Sequence, residues 1–273
     1  MIESFLITSR ETLEASLVVG IVLAYLNKTN NKSYKKTVYY GIAAGIIASI
    51  LAAVLFTLIA GEFEGAAEAI FEGTTMLIGA FLLTTMILWM MNQRHIAKEI
   101  EGKVEQHLMN IKPMFSHFGV FMLIFVAIIR EGFETVIFLN AVNYESGVSF
   151  ISGLLGIATA VAIGYLFFMS VKKINLKKLF NISSILLILF AAGLVLHGVH
   201  EFVESGVLPG IISPLFDVGN VLSDEGAVGS FLKGLFGYVS DPSLVEIVSY
   251  VSYLVLIYFL FRNIEKSKIK TSA

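Results

Sequence analysis

The chain has 273 residues, of which 56% are hydrophobic and only 15% are charged. Soluble domains carry about 25% charged residues, so this composition excludes a mainly soluble protein and predicts an integral membrane protein. The formal net charge of -2 says little about partners, because the charges are sorted by segment, and no nucleic-acid partner is expected. The lack of cysteine excludes disulfides and thiolate metal sites.

The apolar runs predict an all-α protein that crosses the membrane several times. The N-terminal MIESFLITSRE lacks the basic region and cleavage site of a signal peptide, so it is expected to begin the first membrane helix. Runs of about 20 mainly apolar residues span the hydrocarbon core. Such runs predict seven helices, over 2–26, 38–60, 68–91, 116–140, 147–170, 181–204 and 244–262.

The segments between these runs differ in charge. Segments 27–37, 92–115 and 171–180 and the tail after Phe261 are rich in basic residues, whereas the alternate segments carry acids and almost no lysine or arginine. Basic segments stay on the cytoplasmic side. The pattern therefore predicts an outer N-terminus and a cytoplasmic C-terminus in a multi-pass protein of the plasma or inner membrane, surrounded by lipid.

Two of the predicted helices carry an Arg-Glu-x-x-Glu motif. RETLEASLVVGIVLAYL begins at Arg10 and REGFETVIFL begins at Arg130. At 1.5 Å per residue, Arg10 lies about 12 Å into its helix, where each ionised group costs about 2.5–3.5 kcal/mol. A single Arg–Glu pair of this kind is explained by helix packing alone, but packing explains two copies poorly.

The motifs open the first and fourth helices, which cross the membrane in opposite directions. This predicts one transmembrane domain over 1–273, with an inverted repeat formed by 1–92 and 116–205, an outer loop over 205–243 and an added seventh helix over 244–262. Inverted repeats are typical of transporters, whose substrate site lies near the midplane. We therefore expect a transporter and not an enzyme.

The charged groups of the two motifs predict a cation site. They are the carboxylates of Glu11, Glu14, Glu131 and Glu134 and the guanidiniums of Arg10 and Arg130. Together they leave a net charge of about -2, and carboxylates are hard ligands for magnesium, calcium, manganese or iron. The residues by themselves do not choose among these metals.

The predicted outer side carries further acids and two histidines. GEFEGAAEAIFEG contains Glu62, Glu64, Glu68 and Glu72, and HGVHEFVES contains His197, His200, Glu201 and Glu204. The second group follows one helical face and predicts a mixed nitrogen and oxygen metal-binding face, although a solvated helix end explains Glu62 and Glu204 equally well. Asp217, Asp224, Glu225 and Asp241 of the last outer loop complete an acidic vestibule that would concentrate cations.

These residues resemble the oxidase-linked high-affinity iron permeases, a family grouped with bacterial iron and lead transporters. The resemblance rests on the paired motifs, on AAGLVLHGVHEFVESGVLPG and on LSDEGAVGSFLKGLFGY, and it spans nearly the whole chain. Thr12 stands where the family usually has glycine in the first motif.

The resemblance implies a bacterial-type iron permease with Glu11, Glu14, Glu131 and Glu134 as ligands in transit. It also implies that iron is the substrate, with no permanently bound cofactor. A separate extracytoplasmic ferrous oxidase or iron-delivery protein would pass Fe³⁺ on, with Glu62, Glu64, Asp224 and Glu225 as acceptors.

Two alternatives stay open at this stage. One is a transporter or channel for divalent cations such as Fe²⁺, Mn²⁺ or Pb²⁺ that works without an oxidase. The other is a haem-binding membrane subunit with His197 and His200 as ligands.

Overall fold

Each predicted apolar run forms a helix in the computed structural model, which describes residues 2–92, 113–169, 176–224 and 226–271. Within these ranges there is no strand. Glu225 and much of the predicted basic segments 92–115 and 171–180 lie outside the described residues. The helices are α1 (Ile2–Lys28), α2 (Lys35–Ala60), α3 (Ala66–Asn92), α4 (Pro113–Ser146), α5 (Phe150–Met169), α6 (Leu176–Glu204), α7 (Ala227–Phe236) and α8 (Leu244–Thr271).

The structure adds a short helix, α7, to the segment that the sequence predicts as an outer loop. It follows Gly226 and ends at Gly237, whose φ of 67° is left-handed. The Gly237 N–H donates to the carbonyls of Leu232 and Lys233, which closes the helix in the way typical of glycine caps. At 10 residues, α7 is too short to span a membrane.

Among the described residues, four helical segments are long and apolar enough to cross a membrane: Lys32–Ala60, Ala66–Leu88, Ser183–Glu204 and Leu244–Asn263. The apolar part of α5, Phe150–Leu166, is shorter, and α1 and α4 contain the charged motifs. The outer faces of several helices are apolar: on α2, Ile47 is 58%, Leu51 63% and Leu58 64% exposed. Apolar patches of this kind match a lipid environment.

The long helices pair across the two halves of the chain. α1 packs mainly against α5, α2 against α4, and α3 against α6. These pairs are symmetric between the two halves of the chain: the first helix of each half packs against the second helix of the other half, and the two third helices pack against each other. The core between them is built from α1, α3, α4 and α6, and it includes Ile7, Met76, Phe138 and Leu194.

Close approaches at glycine give the relative directions of the paired helices. Gly156 of α5 lies against Thr8 of α1, and Gly164 lies against Ser16, so α1 and α5 run the same way. Because α4 and α5 are joined by a short turn over 147–149, α1 and α4 run in opposite directions. This arrangement brings the two charged motifs together from opposite ends.

Candidate cation site

Three carboxylates from the two motifs meet between α1 and α4. Glu11, Glu14 and Glu131 each offer one oxygen, and these atoms all lie within 4.8 Å of one another. Glu11 is 1% exposed and Glu131 is 7% exposed. Glu11 and Glu14 share one helical face because they are three residues apart, and the opposed direction of α4 presents Glu131 to that face.

Each motif arginine binds the second glutamate of its own motif. Arg10 Nε donates to Glu14 Oε1 over 3.3 Å. Arg130 Nε donates to Glu134 Oε1 over 2.9 Å and lies 4.0 Å from Glu131 Oε1. The Arg10 side chain is 1% exposed, whereas that of Arg130 is 47% exposed, so the two halves of the site differ in burial.

Several carboxylate oxygens of the site are buried without a hydrogen-bond donor among the described residues. They are both oxygens of Glu11 and the Oε2 atoms of Glu131 and Glu134. Buried polar atoms are nearly always paired, and an ionised carboxylate is an acceptor only. A bound cation, a proton or an ordered water molecule would satisfy these oxygens.

The two histidines of the predicted metal-binding face on α6 contact different helices. His197 is buried, with Nδ1 3.0 Å from the Gly193 carbonyl and 3.4 Å from Glu145 Oε1. His200 is half exposed, with Nδ1 3.0 Å from Glu246 Oε1 and Nε2 4.0 Å from Glu204 Oε2. The two histidines therefore contact different partners.

The acids of α3 and α6 approach each other at a close helix crossing. A side chain at Gly73 would lie 3.0 Å from the Glu201 Cβ atom, and this crossing leaves Glu72 within electrostatic reach of Glu68, Glu201 and Glu204. In the described part of the chain, however, no outer histidine or acid joins a group as tight as that of Glu11, Glu14 and Glu131.

The remaining predicted outer acids lie in or beside loops. Glu62, Glu64 and Glu68 are exposed around the turn between α2 and α3. Asp224 Oδ2 accepts hydrogen bonds from the Ser240 backbone over 3.3 Å and from its hydroxyl over 3.1 Å. Glu225, the predicted neighbour of Asp224, lies outside the described residues.

Three buried acids are absent from the sequence prediction of the site: Glu3, Glu145 and Glu246, which are 4%, 5% and 3% exposed. Glu246 has a recognisable local pattern, because it forms a capping box with Ser243 at the start of α8. Ser243 N donates to Glu246 Oε2 over 3.1 Å, and Glu246 N donates to Ser243 Oγ over 3.4 Å. Glu3 and Glu145 stand at the ends of apolar runs, and no spacing pattern marks them.

An all-helical membrane protein with a buried carboxylate cluster between two charged helices has the features of an ion transporter. Comparison with known proteins gives the family. The chain matches the profile of the iron permease FTR1 family over residues 1–264, and it therefore belongs to that family.

Named relatives cover nearly the whole chain. The chain is 30% identical over 260 residues to the ferrous iron permease EfeU of Shigella sonnei and to that of Escherichia coli O157:H7, with 93% of each chain covered. It is 29% identical over 264 residues to the ferrous iron permease EfeU of Yersinia pestis, covering 96% of this chain and 93% of the relative. No solved structure matches. The relatives are named as permeases, which are transporters and not enzymes.

Proposed function

We propose that this protein moves iron across a cell membrane through the cluster of Glu11, Glu14 and Glu131, with Glu134 as a fourth ligand. The observation that carries the proposal is the meeting of three carboxylates within 4.8 Å in a buried position. Ionised groups inside a membrane are costly and mark ion pathways. Hard oxygen ligands also suit iron, the substrate in the names of the relatives.

Arg10 and Arg130 hold the carboxylates in their ionised form before the metal arrives. Each donates to the second glutamate of its motif, over 3.3 Å and 2.9 Å. Both contacts leave the first glutamates, Glu11 and Glu131, with oxygens that have no hydrogen-bond donor in the described chain. Glu11 and Glu131 are thus the first to bind incoming metal, and Glu14 and Glu134 bind it once their hydrogen bonds to the arginines break.

The proposed transport path lies at the interface of an inverted repeat within seven membrane helices. The symmetric set of helix pairs and the opposed directions of α1 and α4 support the repeat. The orientation, with the N-terminus outside, rests on the basic segments. Because the chain has no cysteine, single cysteines test it cleanly: Thr29→Cys should react with an impermeant maleimide only from the cytoplasmic side, and Ala67→Cys only from outside. The reverse pattern would overturn the orientation.

On the outer side, iron is received by the acids and histidines near the ends of α3 and α6. Glu62, Glu64, Asp224 and Glu225 accept it from a separate extracytoplasmic protein. Glu68, Glu72, His197, His200, Glu201 and Glu204 then pass it inwards. Where that partner is a ferrous oxidase, it removes one electron from each Fe²⁺ and reduces dioxygen to water, so that Fe³⁺ is the ion passed on.

Direct transport of Fe²⁺ is the second candidate, and the names of the relatives favour it, since they are called ferrous iron permeases. In that case Mn²⁺ or Pb²⁺ would compete, and no oxidase would be required. The haem alternative gains no such support, because His197 contacts Gly193 and Glu145 whereas His200 contacts Glu246.

Uptake of radioactive iron into liposomes that hold only the purified protein tests the function. Fe²⁺ under a reductant and chelated Fe³⁺ are offered separately, with protein-free liposomes as the control. Uptake of Fe³⁺ supports the oxidase route, and uptake of Fe²⁺ alone supports the second candidate. Uptake of neither ion above the protein-free control, in liposomes whose protein is folded, would contradict iron transport by this chain alone.

A further inference from the structure

A second buried polar cluster lies where α4 ends against α6. Glu145 is 5% exposed and His197 is 8% exposed, and His197 Nδ1 lies 3.4 Å from Glu145 Oε1. The Glu145 carboxylate and the left-handed Gly237 at the end of α7 both lie next to Gly193. The cluster is therefore enclosed by α4, α6 and α7.

The hydrogen bonds of His197 fix which of its nitrogens is free to accept. Nδ1 lies 3.0 Å from the Gly193 carbonyl. A carbonyl only accepts, so Nδ1 carries the hydrogen and Nε2 keeps a lone pair in the neutral ring. Nε2 and both Glu145 oxygens are buried without a hydrogen-bond partner in the described residues. A protonated ring would leave its Nε2–H buried with no acceptor there.

The cluster lies about three helical turns from the glutamate site. Glu145 follows Glu134 by eleven residues on α4, which is about 16 Å along the helix axis. Glu3 precedes Glu14 by the same number on α1, and the opposed direction of α1 brings Glu3 to the same end. There Glu3 approaches Gly234 of α7, and the charges of Glu3 and Lys233 act on Glu145.

We propose that Glu145 and His197 form a second cation site, which binds a divalent first-row transition-metal ion on the outer side of the glutamate site. A carboxylate oxygen and an imidazole nitrogen form a borderline ligand set that suits Fe²⁺, Mn²⁺ or Co²⁺. The glutamate site differs from it because it offers oxygen alone. The proposed function already includes His197 among the outer residues that pass iron inwards. The joint binding of metal by His197 and Glu145 can be tested apart from transport, and only the place of this site on the iron path rests on the proposed function.

Mn²⁺ binding to the purified full chain in detergent micelles tests the inference, with pulsed electron paramagnetic resonance as the readout. Protein that carries His200→Gln, in which the other outer imidazole is removed, should show Mn²⁺ coupled to an imidazole nitrogen, and adding His197→Gln should abolish that coupling. Glu145→Gln should weaken the nitrogen-coupled binding by at least about tenfold, because altering even a residue that only supports a metal ligand costs about 10- to 100-fold. His117→Gln, added to the same protein, should leave the coupling intact and is the control, because His117 lies at the other end of α4 with its Nδ1 2.7 Å from the Thr37 hydroxyl.

Glu11→Gln separates this inference from the proposed function. Nitrogen-coupled Mn²⁺ that persists in this variant, together with lost iron uptake, supports both claims. Persistent coupling with normal uptake leaves the second site standing and contradicts the glutamate path. Elution volume and melting temperature are compared for every variant, and Glu145→Asp is used where Glu145→Gln fails to fold. A His200→Gln protein without nitrogen coupling, or coupling that persists when His197→Gln is added to it, would overturn the inference.

Discussion

The Nδ1 atom of His200 on α6 lies 3.0 Å from Oε1 of Glu246 on α8. The other oxygen of Glu246 accepts the backbone N–H of Ser243 over 3.1 Å, so the buried carboxylate holds the imidazole from the start of α8. When its Nδ1–H is donated to Glu246, the neutral His200 ring keeps a lone pair on Nε2, which lies 4.0 Å from Glu204 Oε2. Carboxylates orient metal-binding imidazoles in this way in many proteins.

Glu246→Gln is expected to raise the KM for iron about tenfold, within the range for altered metal-site partners, with little change in the maximal rate. Glu246 now accepts hydrogen bonds from His200 Nδ1 and from the Ser243 backbone N–H, one on each oxygen. Glutamine has a single amide oxygen in place of these two, so the imidazole loses its fixed orientation. Uptake measured over a range of iron concentrations checks this. Ser243→Ala is the control: it removes a cap and costs about 1 kcal/mol of stability but keeps the backbone donor. An equal rise in KM in the control would count against the orienting role of Glu246.

Gly156→Ala is expected to destabilise the protein by about 1–3 kcal/mol, the usual cost of overpacking. The added methyl group would meet the Thr8 hydroxyl and lie 2.6 Å from the Phe5 carbonyl oxygen. Gly153→Ala, one turn away, would meet only Thr8 Cγ2, at 3.7 Å, and should leave stability unchanged or slightly raised. Unfolding in detergent micelles measures both variants. Equal stability of the two would show that α1 and α5 do not approach as closely as described.

Arg10→Gln is expected to lower stability far more than Arg130→Gln. The Arg10 side chain is 1% exposed and that of Arg130 is 47% exposed. Removing one partner of a buried ion pair costs about 3–5 kcal/mol, whereas exposed pairs contribute about 0.2–1 kcal/mol. Melting temperatures of the two variants at matched detergent concentration report the difference. A larger loss in Arg130→Gln would reverse the assigned asymmetry.

Glu14→Asp is expected to reduce iron uptake strongly despite its unchanged charge. The carboxylate is one methylene shorter, and the cluster holds its three ligand atoms within only 4.8 Å of one another. Uptake should fall while the chain still folds, as judged by its elution volume and melting temperature. Wild-type uptake in Glu14→Asp would mean that charge alone, and not the reach of the ligand, matters at this position.

The sequence predicted the parts of the fold that depend on local chemistry. All seven apolar runs form helices where the structure describes them, except for the turn over 147–149 at the start of the fifth run, because length and hydropathy decide this. The pairing of Arg10 with Glu14 and of Arg130 with Glu134 follows from a spacing of four residues on a helix. The approach of Glu131 to Glu11 and Glu14 required more, namely the inference that the two motifs run in opposite directions.

Features that depend on which helix lies opposite could not be predicted. A helical stripe says that His197 and His200 share a face, but not that α4 and α7 enclose one while α8 contacts the other. The same holds for Glu145, whose partner His197 is far away in sequence. The unequal burial of Arg10 and Arg130 also follows from the neighbours of each helix, and the two nearly identical motifs contain no sign of it. The helix α7 was missed because it is short and lies in a segment rich in glycine.

The most direct test of the central claim compares iron uptake by the wild type, Glu14→Gln and Glu134→Gln in liposomes that contain equal amounts of folded protein. Gly153→Ala serves as a control, because it leaves the carboxylates unchanged. If iron crosses through the paired glutamates, both glutamine variants lose uptake of whichever form of iron the wild type accepts, while Gly153→Ala keeps it. Uptake at the wild-type rate in both glutamine variants would contradict a glutamate path for iron.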